Sequence, residues 1–228
     1  MKKIIVDRRF SDVARNFFGK KYEIVPSVAV SALPEPTRYH PDMALVLVED
    51  IFVVEKTVYD YYKDLFPRER ILCGETVLAG NYPLDIAYNV LISGKNVFAK
   101  EQQMDSVLKE ILQKKQYRIV PIKQGYAACS SVSAGNCIIT ADATIAKVAE
   151  VSGLHVLQIS PGDVVLQGYE YGFIGGASGY IDGVLYFFGD ITKHRDFEKI
   201  SFFLQKHQVP FDYIPGFPLT DVGRLIGI

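Results

Sequence analysis

At 228 residues, with 49% hydrophobic and 22% charged residues, the chain is long enough to bury one large core and too apolar for disorder. A net charge of -1 gives no footprint for nucleic acid or an anionic membrane, so neither is expected as a partner. No apolar run reaches membrane-spanning length, the amino-terminal one is too short for a signal peptide, and three cysteines without metal-type spacing point to free thiols. The expectation is one cytoplasmic, soluble domain over residues 1–228.

The chain opens with a strand at 2–6, a helix at 11–18 capped by Ser11 or Asp12 and ended by Gly19, and a strand at 22–25 stopped by Pro26. Residues 31–39 hold Pro34 and Pro36 with no periodic pattern and read as a loop. From His40-Pro41-Asp42 the pattern is a strand at 43–48, a Glu49-Asp50 turn and a strand at 51–54. A helix at 57–66 follows, with Val58, Tyr61, Tyr62 and Leu65 on one side, then a stop at Pro67 and a strand at 70–73. Tyr82-Pro83-Leu84-Asp85 opens a second such unit: strand 86–92, turn at Ser93-Gly94-Lys95, strand 96–99, helix 103–114, strand 117–122. A third has strand 126–132 carrying Cys129, strand 136–140, helix 142–152 and strand 155–159. A fourth runs from Tyr169 through the glycine-rich 172–179, an Asp182-Gly183 hairpin turn, strand 184–188, helix 196–207 and strand 211–214. The chain ends on a strand at 222–228, which the amino-terminal piece lacks.

Asp42, Asp85, Cys129, Gly175 and Asp221 recur about every 45 residues, a period of propellers and solenoids. A fifth unit shared by both chain ends favours a closed ring over an open array, since pairing terminal strands removes exposed edges. The competing arrangement is a plain three-layer α/β domain. The fold class expected is therefore a five-fold pseudo-symmetric α/β propeller of strand-strand-helix-strand units.

Such units resemble the pentein fold of the guanidino-group-modifying enzymes. His40-Pro41-Asp42-Met43, residues 82–89, 124–130 and 172–179 look closer still to a bacterial branch of that superfamily with no settled activity. The resemblance implies opening strands that aim at a central channel, a cysteine thiolate attacking a guanidinium carbon, a histidine moving protons and carboxylates holding the cation. The superfamily's usual nucleophile lies in the last unit. Here no cysteine follows Cys137, and the matching region is Thr220-Asp221-Val222-Gly223. The alternative implied is a non-enzymatic binding or assembly scaffold, as the ribosome anti-association factor of this fold is.

Under the first reading the catalytic candidates are Cys129 as nucleophile, His40 as acid/base and Asp85. The substrate-binding candidates are Asp42, Asn89, Ser130, Ser178 and Asp221. Each also has a structural reading. Free cysteines are among the most buried residues, and the sequence neighbours of Cys129 supply no cation to lower its pKa. His40 precedes a proline and fits a turn, while each aspartate fits a cap or strand start. Asp85 lies between Leu84 and Ile86, where a lone carboxylate is expensive to bury. Asn89 is four residues on from Asp85 and faces either towards the channel or away from it. Three clustered carboxylates ask for a cation: guanidinium, ammonium or, as a third reading, a divalent metal. Cys73 and Cys137 read as core, His194 and His207 as solvated, His155 as structural, and Tyr59, Tyr61, Tyr62 and Tyr126 as packing. The glycine run 172–179 fails as a phosphate loop because a hairpin follows it, and close backbone packing explains it better. No cofactor is implied.

Overall fold

The computed structural model describes residues 2–66 and 70–228. Its strands form five three-stranded sheets of one pattern. In each, a middle strand pairs antiparallel with one neighbour and parallel with the other. The sheets are β3 (Leu45–Val48), β4 (Ile51–Val54) and β5 (Ile71–Cys73); β6 (Leu91–Ser93), β7 (Asn96–Ala99) and β8 (Arg118–Pro121). Next come β9 (Ser131–Ala134), β10 (Cys137–Thr140) and β11 (His155–Gln158), then β12 (Ser178–Ile181), β13 (Val184–Phe187) and β14 (Phe211–Tyr213). The last joins the two chain ends: β1 (Lys3–Val6) lies between parallel β2 (Glu23–Pro26) and antiparallel β15 (Ile226–Gly227), with Ile4 opposite Gly227 and Ile5 opposite Ile226.

The middle strands are buried on both faces, which is why they read as unbroken apolar runs rather than alternating ones. A helix links each middle strand to its parallel neighbour: α1 (Ser11–Phe18), α3 (Tyr59–Lys63), α4 (Ser106–Lys114), α6 (Ala143–Val151) and α7 (Phe197–Lys206). Asp105 caps α4 by accepting from Leu108 N at 3.1 Å, and Asp142 caps α6 by accepting from Thr144 N at 2.8 Å. Neither Ser11 nor Asp12 caps α1. The preceding 3-10 turn begins at Asp7, whose side chain accepts from Arg9 N. At the β12–β13 hairpin Asp182 and Gly183 both take positive φ, 52° and 81°, as a type I′ turn requires. The helix stop expected at Pro67 lies outside the described residues.

The main departure from expectation is at the opening strands. Residues expected at their starts lie in tight turns instead: Met43 and Ala44 in α2 (Pro41–Ala44), residues 127–130 in α5 (Ala127–Ser130), and turns at 87–88 and 174–177. Pro41 supplies the φ of a first helical position, and Ala127, Ala128 and Ala44 favour a helical turn. The strands proper start only at Leu45, Leu91, Ser131, Ser178 and Ile226. Side by side, β6 neighbours β9, β9 neighbours β12, and β12 neighbours β15.

Candidate functional site

The turns ahead of the opening strands carry a cluster of buried polar side chains. Asp42, Asn89, Cys129 and Asp221 are each 4% exposed or less. Their backbones interlock. Asn89 Oδ1 accepts from Ala128 N at 2.9 Å, so its side chain ties one turn to the next. Asn89 Nδ2 donates to Cys129 Sγ at 2.9 Å and to the Asp42 carbonyl at 3.2 Å. Cys129 Sγ in turn donates to Asp42 Oδ2 at 3.0 Å. Asn89 thus faces inward, onto the thiol.

Glycine permits this packing at two places. A Cβ on Gly175 would lie 2.3 to 2.5 Å from the carbonyl oxygens of Ala128, Ser131 and Cys129. A Cβ on Gly176 would lie 2.0 Å from Asp221 Oδ1. Asp221 accepts from Phe173 N at 2.9 Å and Gly223 N at 3.1 Å. Its Oδ1 stands 3.7 Å from His40 Nδ1, while His40 Nε2 stands 3.9 Å from Asp7 Oδ2. Asp7 itself is held by Arg9, whose Nη2 and Nε donate to its two oxygens.

A cavity of about 340 Å³ opens onto His40, Asp85, Cys129 and Asp221, with Tyr126 and Phe173 in its wall. Tyr126 Oη donates to Asp85 Oδ2 at 2.5 Å. Asp85 Oδ1 and Asp42 Oδ1 are buried and have no hydrogen-bond partner among the described residues. Such orphaned acceptors are expensive in a native interior and mark a place where a donor is missing.

Burial controls the charge states. It pushes Asp42 up to about 6, against the pull of the Cys129 thiol and the Arg224 charge. Burial, reinforced by Asp42, pushes Asp221 up to about 7. Burial, aided by the Arg9 charge, drives His40 down to about 3, so its imidazole is neutral. Burial and the charges of Asp42 and Asp221 hold the Cys129 thiol well above its ordinary value. Burial thus favours the protonated forms of the Cys129 thiol and of the Asp42 and Asp221 carboxyl groups.

The remaining candidates lie elsewhere. Ser130 Oγ donates to the Ala127 carbonyl, and the residue lines a separate cavity of about 250 Å³ with Asp142 and His194. Ser178 Oγ donates to the Gly175 carbonyl inside the core. His194, expected to be solvated, is buried and accepts from Asp196 N through Nδ1. His155 and His207 stack with ring centroids 4.0 Å apart. Cys73 and Cys137 sit in β5 and β10 as free thiols. Among the described residues no group of His, Cys, Asp and Glu side chains comes together to hold a metal ion. No described helix is long and apolar enough to cross a membrane. Sequence reasoning passed over Asp7, Arg9 and Arg224 and took Tyr126 for packing. Only the position of Tyr126 three residues before Cys129 pointed to it.

The family of unknown function DUF6873 matches residues 5–226. The chain belongs to this family. No curated protein matches it. Among solved structures, this DUF6873 chain is similar to a Pseudomonas aeruginosa DDAH, a cysteine-to-serine variant complexed with citrulline (TM-score 0.59, 9% identity, 94% of this chain and 92% of that one). It is also similar to a dimethylarginine dimethylaminohydrolase adduct with 4-chloro-2-hydroxymethylpyridine (TM-score 0.57, 12% identity, 94% and 93%). A C. jejuni agmatine deiminase, a cysteine-to-serine variant with substrate bound, follows (TM-score 0.55, 8% identity, 99% and 93%). These are pentein-fold proteins, and at such identities the likeness is one of fold: this DUF6873 member shares that fold.

Proposed function

We propose that the five sheets stand around a shared channel as a five-fold α/β propeller, and that the cavity beside Cys129 binds a small cationic guanidino- or amino-bearing compound and modifies it. The ring is supported by the sheet shared between the chain ends and by a second cavity whose wall includes residues from the opening strand of every sheet. The ligand class rests on one observation. Asp85 presents a buried, unpartnered oxygen to a cavity it shares with Asp221, and a cation-bearing N–H donor satisfies both the hydrogen bond and the charge. That relatives of the same fold are complexed with citrulline and with the substrate of an agmatine deiminase supports compounds of the arginine type.

In the enzymatic form of this reading Asp85 and Asp221 hold the cation, and its positive charge offsets the carboxylates that keep the thiol protonated. Cys129 then passes its proton to Asp42 Oδ2, 3.0 Å away, and the thiolate sulfur adds to the guanidinium carbon as the C=N π pair moves onto nitrogen. The C–N bond then breaks, the amine leaves with the proton held by Asp42, and water hydrolyses the S-linked adduct to free the thiol. Asn89 Nδ2 stabilises the developing thiolate, and neutral His40 takes or returns protons beside Asp221. Asn89 and Asp42 both touch the reacting sulfur, Asp42 as the proton acceptor and Asn89 as the donor to the thiolate.

One observation favours the second reading, a non-enzymatic scaffold of the same fold. The Cys129 thiol donates to a carboxylate and is flanked by a second, and both oppose ionisation. Thermal shift against arginine and agmatine separates the two. A cation at one hundred times its Kd adds about 2.7 kcal/mol of stability, and Asp85→Asn abolishes the shift. A cation that shifts wild type but leaves Cys129 unmodified in intact-mass spectra selects the scaffold. No shift with either cation removes the proposed ligand class.

A further inference from the structure

The opening strands line a second cavity, of about 630 Å³, beyond the Cys129 turn. Its walls are apolar: Leu45, Leu47, Val90, Ile92, Leu225 and Ile226. Its rim lies at the hairpin turns, where Gly94, Gly135 and Asn136 are exposed, and at Tyr180, which is 41% exposed. Two charged residues belong to this lining, Asp42 and Arg224. They are not equivalent. Asp42 is 3% exposed and already accepts from Cys129. Arg224 is half-buried, and among the described residues its guanidinium has no hydrogen-bond or ion-pair partner.

The backbone at Arg224 adds a second, independent observation. Its φ is +71°, in the left-handed region, where an arginine costs more than glycine or asparagine. The conformation is enforced by two neighbouring hydrogen bonds: Val222 N and Arg224 N both donate to the Gly176 carbonyl, at 3.1 and 2.8 Å. A long cationic side chain therefore stands at a position whose backbone favours a small residue. Among the described residues its five donors make no hydrogen bond, while its charge and that of Asp42 act on one another. A guanidinium set in an apolar, solvent-reached cavity matches a carboxylate with a hydrocarbon tail, since the pair forms two parallel N–H···O bonds and the tail fills the walls.

We propose that this cavity is a binding site for a small carboxylate with an apolar tail, held by Arg224 through its guanidinium. The site is separate from the Cys129 pocket, and the proposal does not rest on the chemistry assigned there. Asp42 lines this cavity and accepts from Cys129, which lines the other.

The test titrates hexanoate against the full chain, with hexanamide and hexylamine as matched probes, by isothermal calorimetry and thermal shift. Hexanoate is expected to bind and to raise Tm, while hexanamide and hexylamine bind at least about tenfold more weakly. Arg224→Asn suits the left-handed backbone, so its unliganded Tm is expected to equal or exceed that of wild type while hexanoate affinity falls about tenfold or more. Tyr180→Glu, on the exposed rim, sets a like charge at the mouth and lowers hexanoate affinity without touching the core. It carries the test if Arg224→Asn does not fold. Absence of hexanoate binding overturns the proposal. So does hexanamide or hexylamine binding as well as hexanoate, or undiminished hexanoate affinity in the variants.

Discussion

The two cavities flank the same set of turns and differ in what the backbone does around them. The Cys129 cavity is built from residues ahead of the opening strands, where tight turns throw His40, Asp85, Cys129 and Asp221 together. The Arg224 cavity is built mainly from the strands themselves and the hairpins that follow, so it inherits the apolar side chains of a sheet. Irregular backbone gathers polar atoms, and regular strands exclude them. The fold thus separates a buried acidic pocket from an apolar one bearing a single accessible cation, with the Asn89–Cys129–Asp42 cluster as the wall between them.

That contrast breaks first at its closest backbone contact. Gly175→Ala sets a Cβ within 2.5 Å of three carbonyl oxygens that cannot swing aside. The expected cost is about 3 kcal/mol, which lowers Tm by roughly 10 °C in a chain of this size. An unchanged melting curve would show that the turns are not packed as described. Asn89→Ala comes next. It removes the tie between two turns and leaves the Ala128 N–H unsatisfied, at about 2 kcal/mol, read by chemical denaturation.

Smaller effects sharpen the electrostatic side. Asp42 and Asp221 take up protons more readily folded than unfolded, since burial raises them to about 6 and about 7. Their contribution to stability is therefore present in acid and is lost as pH climbs from about 4 through 7. The unliganded protein should lose Tm over that window, and Asp221→Asn should flatten the loss. An equal slope in wild type and variant would rule out Asp221 as its source. Alkylation of Cys129 by iodoacetamide, followed peptide by peptide, should begin only above the pH at which free thiols react. Asp42→Asn removes a charge and a hydrogen bond that oppose ionisation, so its onset moves to lower pH.

Much of this fold was legible in the chain. The strands at 51–54 and 96–99 and the helix at 11–18 fall where their apolar runs and punctuation put them, as β4, β7 and α1. Pairing of the two chain ends followed from a fifth unit that lacked a strand. The opening strands were drawn too long, because Met43, Ala44, Ala127 and Ala128 are as apolar in a turn as in a strand and periodicity over four residues cannot separate the two. Within the site, the repeat brought Asp42 towards Cys129 across 87 residues. It did not reveal Tyr126 on Asp85, or the burial of His194, since those depend on how neighbouring units lean on one another. Arg224 gave no signal at all: it sits in a short terminal stretch that read as an ordinary strand.

The most direct test is calorimetric titration of agmatine and arginine into wild type and Asp85→Asn at pH 8 and pH 5.5. In the proposed reading Asp85 and Asp221 hold the cation, so binding to wild type should be present at pH 8, weaken at pH 5.5 as Asp221 takes up its proton, and vanish in the variant. Heat of binding that is absent at both pH values, or the same in wild type and Asp85→Asn, would contradict an acidic pocket built for a cation.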